Sequence, residues 1–333
     1  MLAQPLIAER HPAEFDAIVD AARPVIFRGL VATWPSVQAG RSSPEQLRSY
    51  LQRFEGTMAV QTLIAPPEAR GRYFYADDMR GFNFDPAYMR LGEATALIIA
   101  EGQKSDGRGI YVGSTPTRQV LPGFERENDL PLLRGKPAEQ RIWLGNQSVV
   151  AAHFDASNNV ACAVAGRRRF TLFPPEQVAN LYIGPIDQTP AGPPCSMVDL
   201  RNPDFNRFPR FREALAAATV ADLEPGDAIY IPALWWHNVE ALDAFNVLIN
   251  YWWQDSPPDA GPAMACIGHG IMAISHLPEA QREAWRMLFD HYVFRRNGDP
   301  AAHIPPHARG VLGDDTPALR HRIKQFLLRV ISS

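Results

Sequence analysis

Apolar residues recur with two periods along this chain, and the switch between them divides it into regions. Near the start, Phe15, Ile18 and Val19 stand three and four apart within Pro12 to Ala22, which predicts a helix, and Pro24 opens the extended run PVIFRGL, closed by Trp34-Pro35. Ser43 as N-cap and Pro44 at the first helical position predict a helix over SPEQLRSYLQRF, followed by the strand-like TMAVQTLIA. Residues 66–83 are polar and aromatic without a period, the profile of a long loop over a site entrance or of a solvated connection. A helix is expected over 86–102 and a short strand over Gly109 to Val112.

The centre of the chain reads with period two. Val160 to Val164 and Arg168 to Phe173 are strand-like around an Ala-Gly-Arg turn, which predicts a hairpin. In the second of these, Arg168, Phe170 and Leu172 share one face, so an arginine sits among apolar neighbours and calls for a buried anion, whereas Arg167 and Arg169 need only water. Residues 174–222 form a Pro- and Gly-containing insertion ending in the helical FREALAAAT. The turn Glu224 to Asp227 then introduces a strand-like run, Ala228 to Val239, interrupted at Pro232. In the following FNVLINYWW, Asn246, Leu248, Asn250 and Trp252 share a face, which suits a wet polar cavity or a set of hydrogen-bonded structural amides. Beyond Pro257 the spacing becomes helical, as in Trp285, Leu288, Phe289 and Val293.

Composition narrows the class. The 333 residues, 46% of them apolar, suffice for a sizeable core, and the 30 prolines and 23 glycines suit many short strands joined by turns. The reading is one large domain over 1–256 and a C-terminal helical segment over 257–333. A net charge of −3 argues against a generic nucleic-acid surface. The N-terminus lacks the basic start and apolar core of a signal peptide, and the apolar stretch around 262–277 is too short and too interrupted to span a bilayer. Three cysteines without a CxxC pattern favour a reducing, cytoplasmic setting.

The candidate chemistry lies in His153-Phe154-Asp155. In an extended strand His153 and Asp155 project to one side and Phe154 to the other, giving half of a metal site, and His237 is the candidate for the third ligand. Two imidazoles and one carboxylate on one side of a metal leave the opposite positions open, the arrangement suited to non-haem Fe(II) oxygen chemistry.

These residues, together with PVIFRGL, the NN after HFD, GRRRFTLFPPEQ, RNPDFNRFPRF, EPGDAIYIPALWWHNVEAL and FNVLINYWW, resemble the cupin-like branch of the JmjC family, near the asparaginyl hydroxylase that modifies hypoxia-inducible factor. The resemblance implies a mainly β fold with flanking helices, a double-stranded β-helix of jelly-roll type. It also implies a hydroxylase using Fe(II), 2-oxoglutarate and O2 on an unidentified substrate, with His153, Asp155 and His237 as metal ligands. By the same resemblance Tyr111, Asn159 and Asn250 lie at the cosubstrate, Arg168 takes the place of a lysine that holds its distal carboxylate, and the C-terminal helices make a homodimer. Two departures stand out: the lysine has become arginine, and a threonine hydroxyl three residues before the metal histidine has become Val150. Both leave open which 2-oxo acid is used. The alternatives are a cupin enzyme that uses a metal without 2-oxoglutarate, and a binding module without catalysis.

Overall fold

Alternating strands need two partners, one in the plane of the sheet and one across the core, and this chain supplies both by passing repeatedly between two sheets. The structure, a computed structural model, describes residues 7–190 and 192–331, so the leader reading of the N-terminus falls partly outside the described residues. Strands β1 (Val25–Phe27), β2 (Val60–Ala65), β3 (Asp85–Met89) and β4 (Gly109–Pro116) come first. They are followed by β5 (Glu139–Gly145), β6 (Ser148–His153), β7 (Asn158–Ala165) and β8 (Arg168–Phe173). The last four are β9 (Thr219–Leu223), β10 (Ala228–Ile231), β11 (Trp236–Ala241) and β12 (Asn246–Trp253).

The large antiparallel sheet has the order β1-β10-β7-β12-β5-β4-β2-β3, and the small one β6-β11-β8-β9. From β5 onward the chain alternates between them, except that the consecutive β8 and β9 pair within the small sheet, which is the winding of a double-stranded β-helix. The two sheets face each other across one core: Ala161, Ala163, Ile229, Ile231 and Leu248 from the large sheet meet Phe170, Leu172, Ala221 and Leu223 from the small one. Each large side chain enclosed there contributes about 1.5–3 kcal/mol. A second core lies on the outer face of the large sheet, where Val160, Cys162, Val164, Val247 and Ile249 pack against Phe15, Leu47, Leu91 and Ile98 from the N-terminal half.

The expected hairpin over 160–173 is a sheet-crossing corner instead. Strand β7 pairs with β10 and β12, while β8 pairs with β11 and β9. Gly166 turns the chain with φ +69°, and a Cβ there would come within 2.2 Å of Asn246 Oδ1, so the corner has room only for glycine. Arg167 fixes the exit by donating from its backbone and its guanidinium to Asp243. Local turn chemistry is the same for a hairpin and a corner; the partners across the core decide between them.

The helix expected over 86–102 is shortened in the same way. Asp85–Met89 pairs with β2 in the register Val60↔Met89 to Ile64↔Asp85, at the sheet edge, where the missing N–H of Pro86 does no harm. The helix proper is Leu91–Gly102, opened by Glu93, which accepts from the Arg90 backbone N–H at 3.0 Å. Its far end is tied to β4 by Glu101, which accepts from the backbone and the guanidinium of Arg108.

Residues from Asp255 form a separate unit with helices Met264–Ala273, Glu279–Tyr292 and Pro317–Ile331. Trp285, Leu288 and Tyr292 of its second helix and Phe326, Leu327 and Val330 of its third are exposed. None of the helices among the described residues is long and apolar enough to cross a membrane.

Candidate metal centre

His153 ends β6 and His237 lies near the start of β11, and the antiparallel register pairs them directly. Neighbours across such a pair stand on the same face, so the two rings come together with centroids 4.3 Å apart. Each imidazole is oriented by a backbone carbonyl. Nδ1 of His153 lies 2.9 Å from Ala151 O, and Nδ1 of His237 lies 3.0 Å from Trp235 O. A carbonyl only accepts, so both rings carry their proton on Nδ1 and keep the Nε2 lone pair for a metal. Burial pushes His153 down to about 4, the neighbouring His237 adds to the effect, and the ring is therefore neutral near pH 7, as a metal ligand must be.

Asp155 supplies the charge. It sits in the turn after β6, its carboxylate Oδ2 is 3.5 Å from His237 Nε2, and its backbone carbonyl accepts from Leu234 N at 2.8 Å, which ties that turn to the one preceding β11. The ligand atoms of His153, Asp155 and His237 lie within 4.8 Å of one another. Two neutral nitrogens and one carboxylate oxygen converging from one side suit a divalent ion of the iron type with its remaining positions free. Phe154 turns the other way and packs edge-on against Trp236 at 4.9 Å, in the core behind the small sheet.

Arg168 and Tyr111 belong to opposite sheets, β8 and β4, and both are buried. No carboxylate pairs with Arg168 among the described residues, and its Nε has no hydrogen-bond partner. Burial alone pushes it down to about 10, while Tyr111 is close enough to feel its charge. Burial raises Tyr111 well above the usual phenol range, so it is a neutral donor. A buried cation that lacks an anion is a site waiting for one. Arg167 and Arg169, by contrast, pair with Asp243 and Asp222 at the surface.

Asn159 and Asn250 face the same interior and are linked to each other. Asn250 Nδ2 donates to Asn159 Oδ1 at 3.1 Å, and Trp143 Nε1 donates to Asn250 Oδ1 at 2.7 Å. Trp143 in turn meets Trp252 edge-on at 5.7 Å, and Arg141 stacks over Trp252 while donating to Ser114 and Glu139. Sequence reasoning missed Trp143, Arg141 and all of β5; in EQRIWLG the alternation of Gln140, Ile142 and Leu144 against Glu139, Arg141 and Trp143 was the available signal. The loop over 66–83 is not a solvated connection, because Tyr73, Phe74 and Tyr75 are all buried.

Two facing antiparallel sheets of β-helix winding, with a His-Asp-His triad on one side of an open position, define a metal-site protein of the cupin class. A family model described as a cupin-like domain matches residues 11–259, and the chain belongs to that cupin-like, JmjC-type family. Lysine-specific demethylase JMJ31 of Arabidopsis thaliana is 35% identical over 275 residues, covering 73% of this chain and 48% of that protein. Lysine-specific demethylase 8 of Xenopus tropicalis is 27% identical over 239 residues, covering 70% and 48%. The tRNA wybutosine-synthesizing protein 5 of Gallus gallus is 30% identical over 228 residues, 63% of each chain. This chain thus spans about half the length of the two demethylases.

Proposed function

We propose that the protein is an Fe(II)- and 2-oxoglutarate-dependent oxygenase that hydroxylates a protein side chain or a small molecule. The observation that carries this reading is Arg168, a buried guanidinium without an anion, opposite Tyr111 in the interior that also holds the triad. A metal site alone would serve many cupin reactions. A metal site with an unpaired cation beyond it fits a bifunctional acid, one end on the ion and the other on the guanidinium.

When bound, the iron supplies the oxidative chemistry, in which O2 is consumed, the 2-oxo acid loses CO2 to leave succinate, and one oxygen atom enters the substrate. The chain's own part is placement. His153 and His237 present neutral nitrogens, Asp155 offsets part of the metal charge, and Arg168 and Tyr111 fix the distal carboxylate. Asn159, Asn250 and Trp143 hold one another in a hydrogen-bonded row that keeps the interior rigid beside the triad. The relatives named for lysine demethylation and for tRNA wybutosine synthesis differ in what they act on, so substrate choice belongs to the surroundings of this centre and not to the centre itself.

The test is an anaerobic titration of the Fe(II)-loaded protein with 2-oxoglutarate, following the visible charge-transfer absorption of a 2-oxo acid chelated to Fe(II). A saturable band that is absent in His153→Ala is expected. Iron binding with no band would instead favour a cupin enzyme that does not use 2-oxoglutarate. We further propose that the unit from Asp255 joins a second copy of the chain, since six large apolar side chains on two of its helices are exposed. Sedimentation should then give twice the 37.1 kDa of one chain, and Leu288→Glu with Leu327→Glu should return it to one; a wild-type chain that sediments as a monomer refutes the pairing.

A further inference from the structure

We infer that the phenol of Tyr73 is a third donor to the distal carboxylate of the 2-oxo acid, beside Arg168 and Tyr111. The inference rests on the proposed cosubstrate site and names a residue that neither the triad nor the sequence pattern indicates.

Tyr73 reaches the interior because its loop docks on the metal-bearing strand. Val149 N donates to Gly71 O at 2.8 Å, and Arg72 bridges Val149 in parallel, so residues 71–73 run along the edge of β6. Gly71 makes the approach possible: its φ is +72°, and a Cβ there would come within 2.3 Å of Gln147 O. The next residue but one, Tyr73, then lies in one cluster with Tyr111, Val150 and Trp143. Its ring is 5.2 Å from that of Tyr111 at an angle of 35°.

The hydroxyl of Tyr73 is buried and has no hydrogen-bond partner. A buried phenol is normally paired, so an orphan packed on Tyr111, which itself feels the charge of Arg168, points to an acceptor that the three would share. Val150, the β6 member of the cluster, brings no donor of its own. Tyr111 connects the two, being within electrostatic reach of both Arg168 and Tyr73. An ionised carboxylate offers about four acceptor positions, enough for a guanidinium and two phenols. Space is kept for the Tyr73 hydroxyl by Gly109, where a Cβ would stand 3.0 Å from it.

The experiment is calorimetric titration of the Zn(II)-loaded full chain, wild type and Tyr73→Phe, with 2-oxoglutarate and with 2-oxopentanoate, which has the same carbon chain but no distal carboxylate. Thermal unfolding of both metal-free proteins is measured alongside. Tyr73→Phe is expected to bind 2-oxoglutarate about tenfold more weakly, the value of one charge-assisted hydrogen bond, and 2-oxopentanoate as the wild type does. Its metal-free Tm should be no lower than that of the wild type, because the hydroxyl removed had no partner in the protein. Equal 2-oxoglutarate affinity in the two proteins overturns the inference, and so does equal weakening for both acids or a lowered metal-free Tm, which would make the hydroxyl structural. A wild-type protein that binds Zn(II) but neither acid overturns the proposed function and this inference with it.

Discussion

His237→Ala is expected to abolish tight metal binding, with a loss in affinity on the order of a hundredfold or more. Groups that merely orient metal ligands already contribute 10–100-fold, and His237 is itself one of three donors. Calorimetry with Mn(II) or Fe(II), and metal content after dialysis, would measure it. The fold should survive, because the ladder partners of His237 are held by backbone bonds through β6 and β8 and not by the imidazole. An unchanged far-ultraviolet spectrum with metal lost is therefore the expected pair of results. Retained stoichiometric metal in His237→Ala would mean that the ion is held elsewhere.

The second large effect is at Arg168, where stability and binding should move in opposite directions. Arg168→Met removes a cation that is 4% exposed and lacks a carboxylate partner. Its depression from 12.5 to about 10 corresponds to roughly 3 kcal/mol of unfavourable burial, so the metal-free variant should be more stable by about 1–3 kcal/mol in denaturant unfolding. The same change should weaken 2-oxoglutarate by at least a hundredfold, since a bidentate guanidinium supplies two charge-assisted bonds of about 1.5–3 kcal/mol each. Arg168→Lys should fall between, keeping the charge and losing the fork. A variant that is both less stable and undiminished in binding would make Arg168 a structural residue.

Much of this was legible before any coordinates. The triad could be read from the close spacing of His153 and Asp155 and from His237 downstream, although the extended strand expected through His153-Phe154-Asp155 ends at His153 and Asp155 is placed by the turn that follows. The buried position of Arg168 could be read because it shares parity with Phe170 and Leu172. What failed had a common cause. The corner at Gly166, the edge strand at Asp85–Met89 and the strand β5 are decided by which distant segments lie alongside, Asn246, β2 and β12 respectively. Local spacing carries no record of such neighbours. Tyr73 escaped for a related reason: it stands in an aperiodic loop, and its burial follows from Gly71 meeting Gln147, a contact between segments far apart in the chain.

The register of the small sheet has a metric consequence. Leu172 pairs with His237 and Arg168 with Ala241, so the guanidinium originates four residues along the strand from the metal level, about 13 Å. Arg168 and His237 project from the same face of the ladder, so the separation of their origins is fixed by backbone pairing and not by side-chain packing. Under the proposed function, two ends set on one β-ladder would act as a ruler: the interior would select its acid by length as well as by charge, a shorter homologue failing to bridge and a longer one buckling against the sheet.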